Sequence, residues 1–107
     1  MKQYLDAVQT ANLVDLGFPS PQSVSKLTLD IDMDTIPSFS YSVGELISFI
    51  PGAIYDEDED LEASLQMTHG WEVYYTTYSD IFYYVKNDEL IDCLFDMCVR
   101  LKKKGLI

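Results

Sequence analysis

Alternation of apolar and polar residues is the clearest pattern in the second half of the chain. Residues 61–67 alternate between the two classes, and residues 71–76 do so again after a short polar segment. Such alternation predicts a half-buried strand, and two such runs joined by a short turn predict a β-hairpin. Residues 81–85 are apolar on both faces, which predicts a third strand that is central or covered.

The same pattern predicts the length of the hairpin turn, because residues that oppose each other across a hairpin share a face of the sheet. A two-residue turn would pair Met67 with Glu72 and mix the two faces. A three-residue turn over 68–70 pairs Met67 with Trp71 and gives Gly70 the left-handed backbone of a bulge. The hairpin residues predicted to enter the core are then Leu65, Met67, Trp71 and Val73.

Helix-boundary signals mark two helices in the first half of the chain. Residues 2–16 carry an apolar stripe at helical spacing, and Gly17 predicts a left-handed cap in which Phe18 packs back on the helix. Ser42 and Glu45 have the spacing of a capping box, which predicts a second helix of about two turns.

A strand lies between these helices, and a third helix follows the hairpin. Residues 27–33 alternate strictly and predict an edge strand, because outward aspartates discourage pairing with a further strand. Residues 34–40 contain a proline and predict a connection. The last helix is predicted to begin near Asn87 or Asp88 and to stop at Gly105.

Together these elements predict an α+β fold, an antiparallel sheet of three to four strands packed against helices in the order α-β-α-β-β-β-α. A chain of 107 residues with 48% hydrophobic content suits a single folded domain over residues 1–107. Its apolar runs are far shorter than the about 18 residues that a membrane span needs, and the first 16 residues lack the apolar region of a signal peptide. We therefore expect a cytoplasmic protein.

Charge excludes some classes of partner. The chain has 18 acidic and 7 basic residues, and residues 1–99 hold all of the acidic ones with three of the basic ones, a balance of −15. Such a surface repels nucleic-acid phosphates and anionic lipids, so we expect no direct binding to nucleic acid or membrane. The other four basic residues suit the negative end of the last helix dipole: Arg100, Lys102, Lys103 and Lys104.

Acidic residues cluster most densely just before the hairpin. The run comprises Asp56, Glu57, Asp58, Glu59 and Asp60, with Glu62 close behind. Its first, third and fifth residues match the first ligands of a calcium loop, but Leu61 replaces the glycine and Met67 the bidentate glutamate that such a loop requires. We interpret the run as a solvated connection and expect neither a metal nor another cofactor.

Residues suited to catalysis are sparse. Cys93 and Cys98 point about 140° apart on the last helix, which favours two separate buried thiols. His69 lies at the predicted hairpin tip with no second histidine in the chain, and there is no phosphate-binding loop or nucleophile motif. We therefore predict that the protein is not an enzyme.

Aromatic residues on the second face of the sheet supply a candidate binding surface. Simple alternation places Tyr74, Phe82 and Tyr84 together, either covered by a second layer or exposed to a partner. The candidate partner-binding residues are these three aromatics with the acidic Asp30, Asp32, Asp56, Glu57, Asp58, Glu59, Asp60 and Glu62.

Several segments resemble known groups of proteins. The runs NLVDLGFPSP, SVGELISFIPGAI, HGWEVYY and NDELIDCLFDMCVRLKKKGLI resemble small uncharacterised proteins of bacterial phages and integrated elements. This resemblance implies an α+β domain in a bacterial cytoplasm. It supplies no established activity that could be transferred to this chain. Residues 61–104 are also similar to HicB-type antitoxin domains, through Gly70-Trp71 and the helix start Asp88-Glu89-Leu90. The helix before the hairpin departs from that pattern, and no DNA-binding segment is visible.

The function most consistent with these features is a non-catalytic accessory or inhibitor that binds a protein partner, particularly a basic or nucleic-acid-binding one. One alternative is a structural or assembly protein that forms a homo-oligomer, the simplest being a homodimer. The other alternative is a HicB-like antitoxin, as the second resemblance implies.

Overall fold

Helices and strands follow one another along most of the chain in a computed structural model that describes residues 2–29, 35–56, 61–68, 70–77 and 80–107. Within these residues the elements are α1 (Ala7–Asp15), β1 (Ser23–Leu29), β2 (Thr35–Ser40), α2 (Val43–Phe49), β3 (Ala53–Asp56), β4 (Leu61–Thr68), β5 (Glu72–Thr76), β6 (Ile81–Lys86) and α3 (Leu90–Lys103). None of the helices in these ranges combines the length and the apolar character that crossing a bilayer requires.

Strands β3, β4, β5 and β6 form an antiparallel four-stranded sheet in that order, and β1 pairs with β2 in a separate two-stranded ribbon. The predicted α+β fold, with an antiparallel sheet packed against helices, is confirmed, and β2 and β3 add two strands to the predicted elements. Strand β2 occupies residues 35–40 of the predicted connection, so the interpretation of these residues as a connection was wrong. Pro37 stands opposite Leu27, and because the described part of this sheet has two strands, both are edge strands, where proline is tolerated.

Helix α3 supplies most of the helical side of the core. It packs against β5 and β6 on one side and contacts α1 and α2 on others. From the sheet, Val73 and Tyr75 are fully buried, and Ala63 and Val85 lie beside them. The buried residues of α3 are Leu90, Ile91, Cys93, Leu94, Met97, Cys98 and Leu101.

Capping signals are confirmed for α1 and α2, whereas α3 begins later than predicted, with Glu89 at the N-cap and no side-chain capping bond. The side chains of Ser42 and Glu45 form the predicted capping box at the start of α2. At the end of α1, Gly17 has φ 97°, and the Phe18 N–H donates to the Leu13 carbonyl over 3.1 Å, which completes the predicted cap. The start of α1 was placed too early, because Asp6 forms a capping box of its own that begins the helix at the next residue.

Pairing in the β4–β5 hairpin ends at Thr68 and Glu72, which leaves three residues between the strands as predicted, but the predicted register was wrong by one residue. Met67 pairs with Val73 instead of Trp71, so Trp71, and not Thr68, lies outside the paired residues. Both registers keep the same side chains on the same face, and for this reason the faces of the two strands were assigned correctly. His69 itself lies outside the described residues.

Contacts from beyond the hairpin hold Trp71 in the turn. Its carbonyl accepts a hydrogen bond from the Asn87 N–H at 3.2 Å and another from the Cys93 thiol at 2.9 Å. Trp71 takes a left-handed φ of 57°, which is rare for a bulky residue and costs about 1 kcal/mol or more. The hairpin pattern alone contains no sign of these contacts.

The core assignment of the hairpin needs one correction. Val73 is fully buried, and Leu65 and Trp71 are half-buried, but Met67 is 39% exposed. Met67 was wrongly placed in the core. It lies near the turn end of β4, whereas α3 packs over β5 and β6.

Hydrogen bonds to Glu45 link the start of the two-stranded ribbon to α2. Its carboxylate accepts hydrogen bonds from the Gln22 N–H at 3.0 Å, from the Ser42 N–H and from the Ser23 hydroxyl. Burial acts to raise the pKa of Glu45, but these hydrogen bonds outweigh it and hold the pKa below its usual value.

We predict that, in the Glu45→Gln variant, the free energy of unfolding falls less steeply than in the wild type as the pH is lowered into the acid range. A carboxyl whose pKa is lower in the folded than in the unfolded state adds stability above its unfolded pKa of about 4.3, and that stability is lost as pH falls through the folded value. Urea unfolding at pH 7, 5, 4 and 3 should show that the variant loses less of its free energy of unfolding over this range than the wild type does. Glu62→Gln, which removes the same charge from an exposed position, is the control. Parallel curves for wild type and Glu45→Gln would contradict this account.

Candidate partner-binding face

The sheet presents one face to the helices and the other to solvent. We call the second the open face, because among the described residues its side chains stay accessible. Three apolar side chains are prominent there: Tyr55 is 53% exposed, Ile81 59% and Tyr84 43%. The polar residues that alternate onto the same face are Glu62, Ser64, Gln66, Thr68, Glu72 and Thr76.

A β-bulge determines which aromatic residues of β6 reach the open face. Val73 pairs with Val85, but Tyr75 pairs with Phe82, so β6 has one residue more than β5 between these pairs. Tyr83, inside this interval, takes a left-handed φ of 53°. The extra residue reverses the alternation, and it places Phe82 and Tyr84 on opposite faces.

Tyr74 and Tyr84 form a contiguous aromatic surface on the open face. Their ring centroids lie 5.9 Å apart, and the ring planes are inclined by 31°. This is a tilted pair within the usual distance range for aromatic contacts. Tyr84 is 43% exposed and Tyr74 half-buried, so the pair offers ring surface to a partner.

The carboxylate of Glu72 lies beside this aromatic pair. It accepts a hydrogen bond from the Thr68 hydroxyl at 3.1 Å, and Lys86 stands opposite it on β6. Interaction with the Tyr84 hydroxyl is the main cause that lowers the pKa of Glu72, followed by the bond from Thr68. The same interaction raises the pKa of Tyr84. Glu72 is therefore a fixed negative charge at neutral pH.

The predicted candidate residues divide into four groups. Tyr74, Tyr84 and Glu62 lie on the open face, and Tyr55 stands opposite Glu62 across the β3–β4 pair. The grouping of Phe82 with them was wrong, because the bulge turns Phe82 to the core side, opposite Tyr75. Asp56 ends β3, paired with Leu61. The remaining candidates lie outside the described residues: Asp30, Asp32, Glu57, Asp58, Glu59 and Asp60.

Glu72, Tyr55 and Ile81 lie on the open face but are not among the predicted candidates. Glu72 alternates with Tyr74, so its place on that face follows from the pattern, but its bond from Thr68 and its interaction with Tyr84 depend on the register. Tyr55 lies in the short run Ala53-Ile54-Tyr55 after a Pro-Gly turn, which has the composition of a strand.

Other surfaces are less organised. An open groove of about 350 Å³ between α1 and α3 has Leu16, Phe95 and Val99 among its apolar lining, and a larger one of about 630 Å³ lies between the N-terminal segment, α1 and Phe39. Within the described ranges, no group of three histidine, cysteine or carboxylate side chains is placed to hold a metal ion. Cys93 is buried, as predicted. Cys98 is likewise a buried free thiol.

No family model, no curated protein and no solved structure matches this chain. The resemblances to phage-encoded proteins and to HicB-type antitoxin domains remain predictions from the segments that carry them.

Proposed function

We propose that this protein is a non-catalytic accessory or inhibitor that binds a basic protein in the cytoplasm through the open face of its sheet. The observation that carries the proposal is the combination, on that face, of exposed tyrosines with the carboxylates of Glu62 and Glu72. Contiguous exposed aromatic side chains are typical of interfaces.

Net charge supports a basic partner. The balance of −15 over residues 1–99 creates a negative field that speeds association with a positive surface and disfavours acidic competitors. Tyrosines are frequent among the residues that dominate binding energy, because they bury a large rigid ring and keep a polar group at its edge. Charge would then steer the partner, and the Tyr74–Tyr84 pair would hold it.

The similarity of residues 61–104 to HicB-type antitoxin domains favours the inhibitor version of this proposal. The partner would in that case be a basic toxin, and its inhibition would follow from covering its positive surface. Most of the open face belongs to the same segment, since β4, β5 and β6 lie within it and only β3 precedes it.

Affinity capture from a lysate of the source organism tests the proposal. We expect the wild-type chain to retain a basic protein at about 50 mM salt and to release it by about 500 mM, because screening weakens charge steering and ion pairs. The double variant Tyr74→Ala/Tyr84→Ala should bind the purified partner about tenfold more weakly. Phe39→Ala, which removes an exposed aromatic from the ribbon, is the matched control. Equal binding by the double variant, or binding that salt does not weaken, would refute the proposal.

A homo-oligomer is the second candidate function. It is favoured by Tyr55 and Ile81, which leave the open face with exposed apolar area at both edge strands. Light scattering separates the two candidates. A stable dimer that Ile81→Asp converts to a monomer would assign the open face to self-association, whereas a monomer that binds a basic partner supports the first proposal.

A further inference from the structure

The Glu72 carboxylate is held in place by its own neighbours. A carboxylate has about four acceptor positions, and the Thr68 hydroxyl occupies one of them at 3.1 Å. The Glu72 carboxylate can therefore accept further hydrogen bonds, and its orientation is already restricted. Such a preorganised group binds a donor with a smaller loss of conformational entropy than a free side chain does.

The adjacent ring surface is suited to a cation. The ring of Tyr84 packs 5.9 Å from that of Tyr74, and its hydroxyl interacts with Glu72 closely enough to lower the pKa of that carboxyl, so the carboxylate and both rings belong to one cluster. A cation within about 6 Å of a tyrosine ring centre is attracted to the ring face, and the attraction adds to that of a nearby carboxylate.

We infer that Glu72, Tyr74 and Tyr84 together bind an arginine side chain of the partner. A guanidinium group is planar, and it can lie on the tyrosine rings while its N–H groups donate to Glu72. A lysine ammonium carries the same charge but has no flat surface to stack and no fork to match a carboxylate. The inference rests on the proposed function and adds the chemistry of the side chain that the open face recognises.

Lys86 is the internal competitor for this site. It stands opposite Glu72 across the β5–β6 pair, is itself exposed, and its charge contributes to the lowered pKa of Glu72. A cation from the partner must share the carboxylate with it. Removing its charge by Lys86→Gln is therefore expected to strengthen arginine binding about threefold.

Two nine-residue peptides test the inference. In both, basic residues alternate with glycine. All the basic residues are arginine in one peptide and lysine in the other. We expect the arginine peptide to bind the full chain about fivefold more tightly in an amide chemical-shift titration at low salt, with shifts concentrated in β5 and β6. Glu72→Gln should weaken the arginine peptide about tenfold and largely remove the preference. Asp15→Asn, an equal charge change on the helical side, should change the affinity less than twofold.

Tyr84→Phe provides a second variant that keeps the ring and removes only the hydroxyl that interacts with Glu72. It should retain stacking and lose about threefold in arginine affinity. Equal affinity for both peptides, with equal effects of Glu72→Gln and Asp15→Asn, would overturn arginine recognition and leave general binding of basic partners intact. If neither peptide shifts any resonance of the open face, the proposed function fails together with the inference.

Discussion

Replacing Leu94 by alanine is expected to lower the free energy of unfolding by about 3 kcal/mol, the range seen when a fully buried leucine is truncated. Leu94 has no exposed surface and belongs to α3, which packs against β5 and β6 and contacts α1 and α2. The change removes apolar contacts and leaves a cavity that the surrounding elements can close only in part. In a domain of marginal stability this is a large fraction of the total.

Urea unfolding followed by circular dichroism measures the effect. Val8→Ala is the control, because Val8 is 72% exposed on α1 and should change the free energy of unfolding by less than about 0.5 kcal/mol. An equally small effect of Leu94→Ala would show that α3 does not support the sheet as described. Because β5 and β6 carry Tyr74, Glu72 and Tyr84, the same helix supports the open face from behind.

Both cysteines are expected to react with thiol reagents more slowly in the folded protein than in the unfolded chain, Cys98 by a factor on the order of a thousand. Burial raises the pKa of Cys98 to about 12, and burial is also the main cause that raises the pKa of Cys93. At pH 8 a thiol with a pKa near 12 is ionised to about one part in ten thousand, whereas an ordinary cysteine is ionised to about a quarter.

The measurement is the rate of reaction with a chromogenic aromatic disulfide at pH 8, with and without denaturing guanidinium. Reaction in the native state should be slow for both thiols. Its rate should be limited by local opening of the structure and not by the reaction of the thiolate with the reagent. Rapid modification of one equivalent per chain would contradict the burial of Cys93 or Cys98, and single serine variants would identify which. The thiol of Cys93 also donates to the Trp71 carbonyl, so its modification should disturb the hairpin turn.

The candidate site was only partly predictable. Tyr74 and Glu62 reach the open face by simple alternation from the hairpin, and this part of the prediction needed no tertiary information. Phe82 was misplaced, because an extra residue at the β5–β6 bulge inverts the alternation on one side of it. The residues before and after Tyr83 are all apolar from Ile81 to Val85, so the alternation of apolar and polar residues contains no sign of a bulge there.

By itself, the sequence determined the features that arise within a few residues: the capping box at Ser42, the cap at Gly17 and the alternating faces of the hairpin strands. Only the tertiary structure decided the register of the hairpin and the composition of the open face. The Trp71 carbonyl accepts hydrogen bonds from Asn87 and Cys93, which follow β6 in the chain, and the bulge in β6 places Tyr84 beside Tyr74 and Glu72. Such contacts join residues that are distant in the chain, so their energies enter only once the sheet and α3 have packed together.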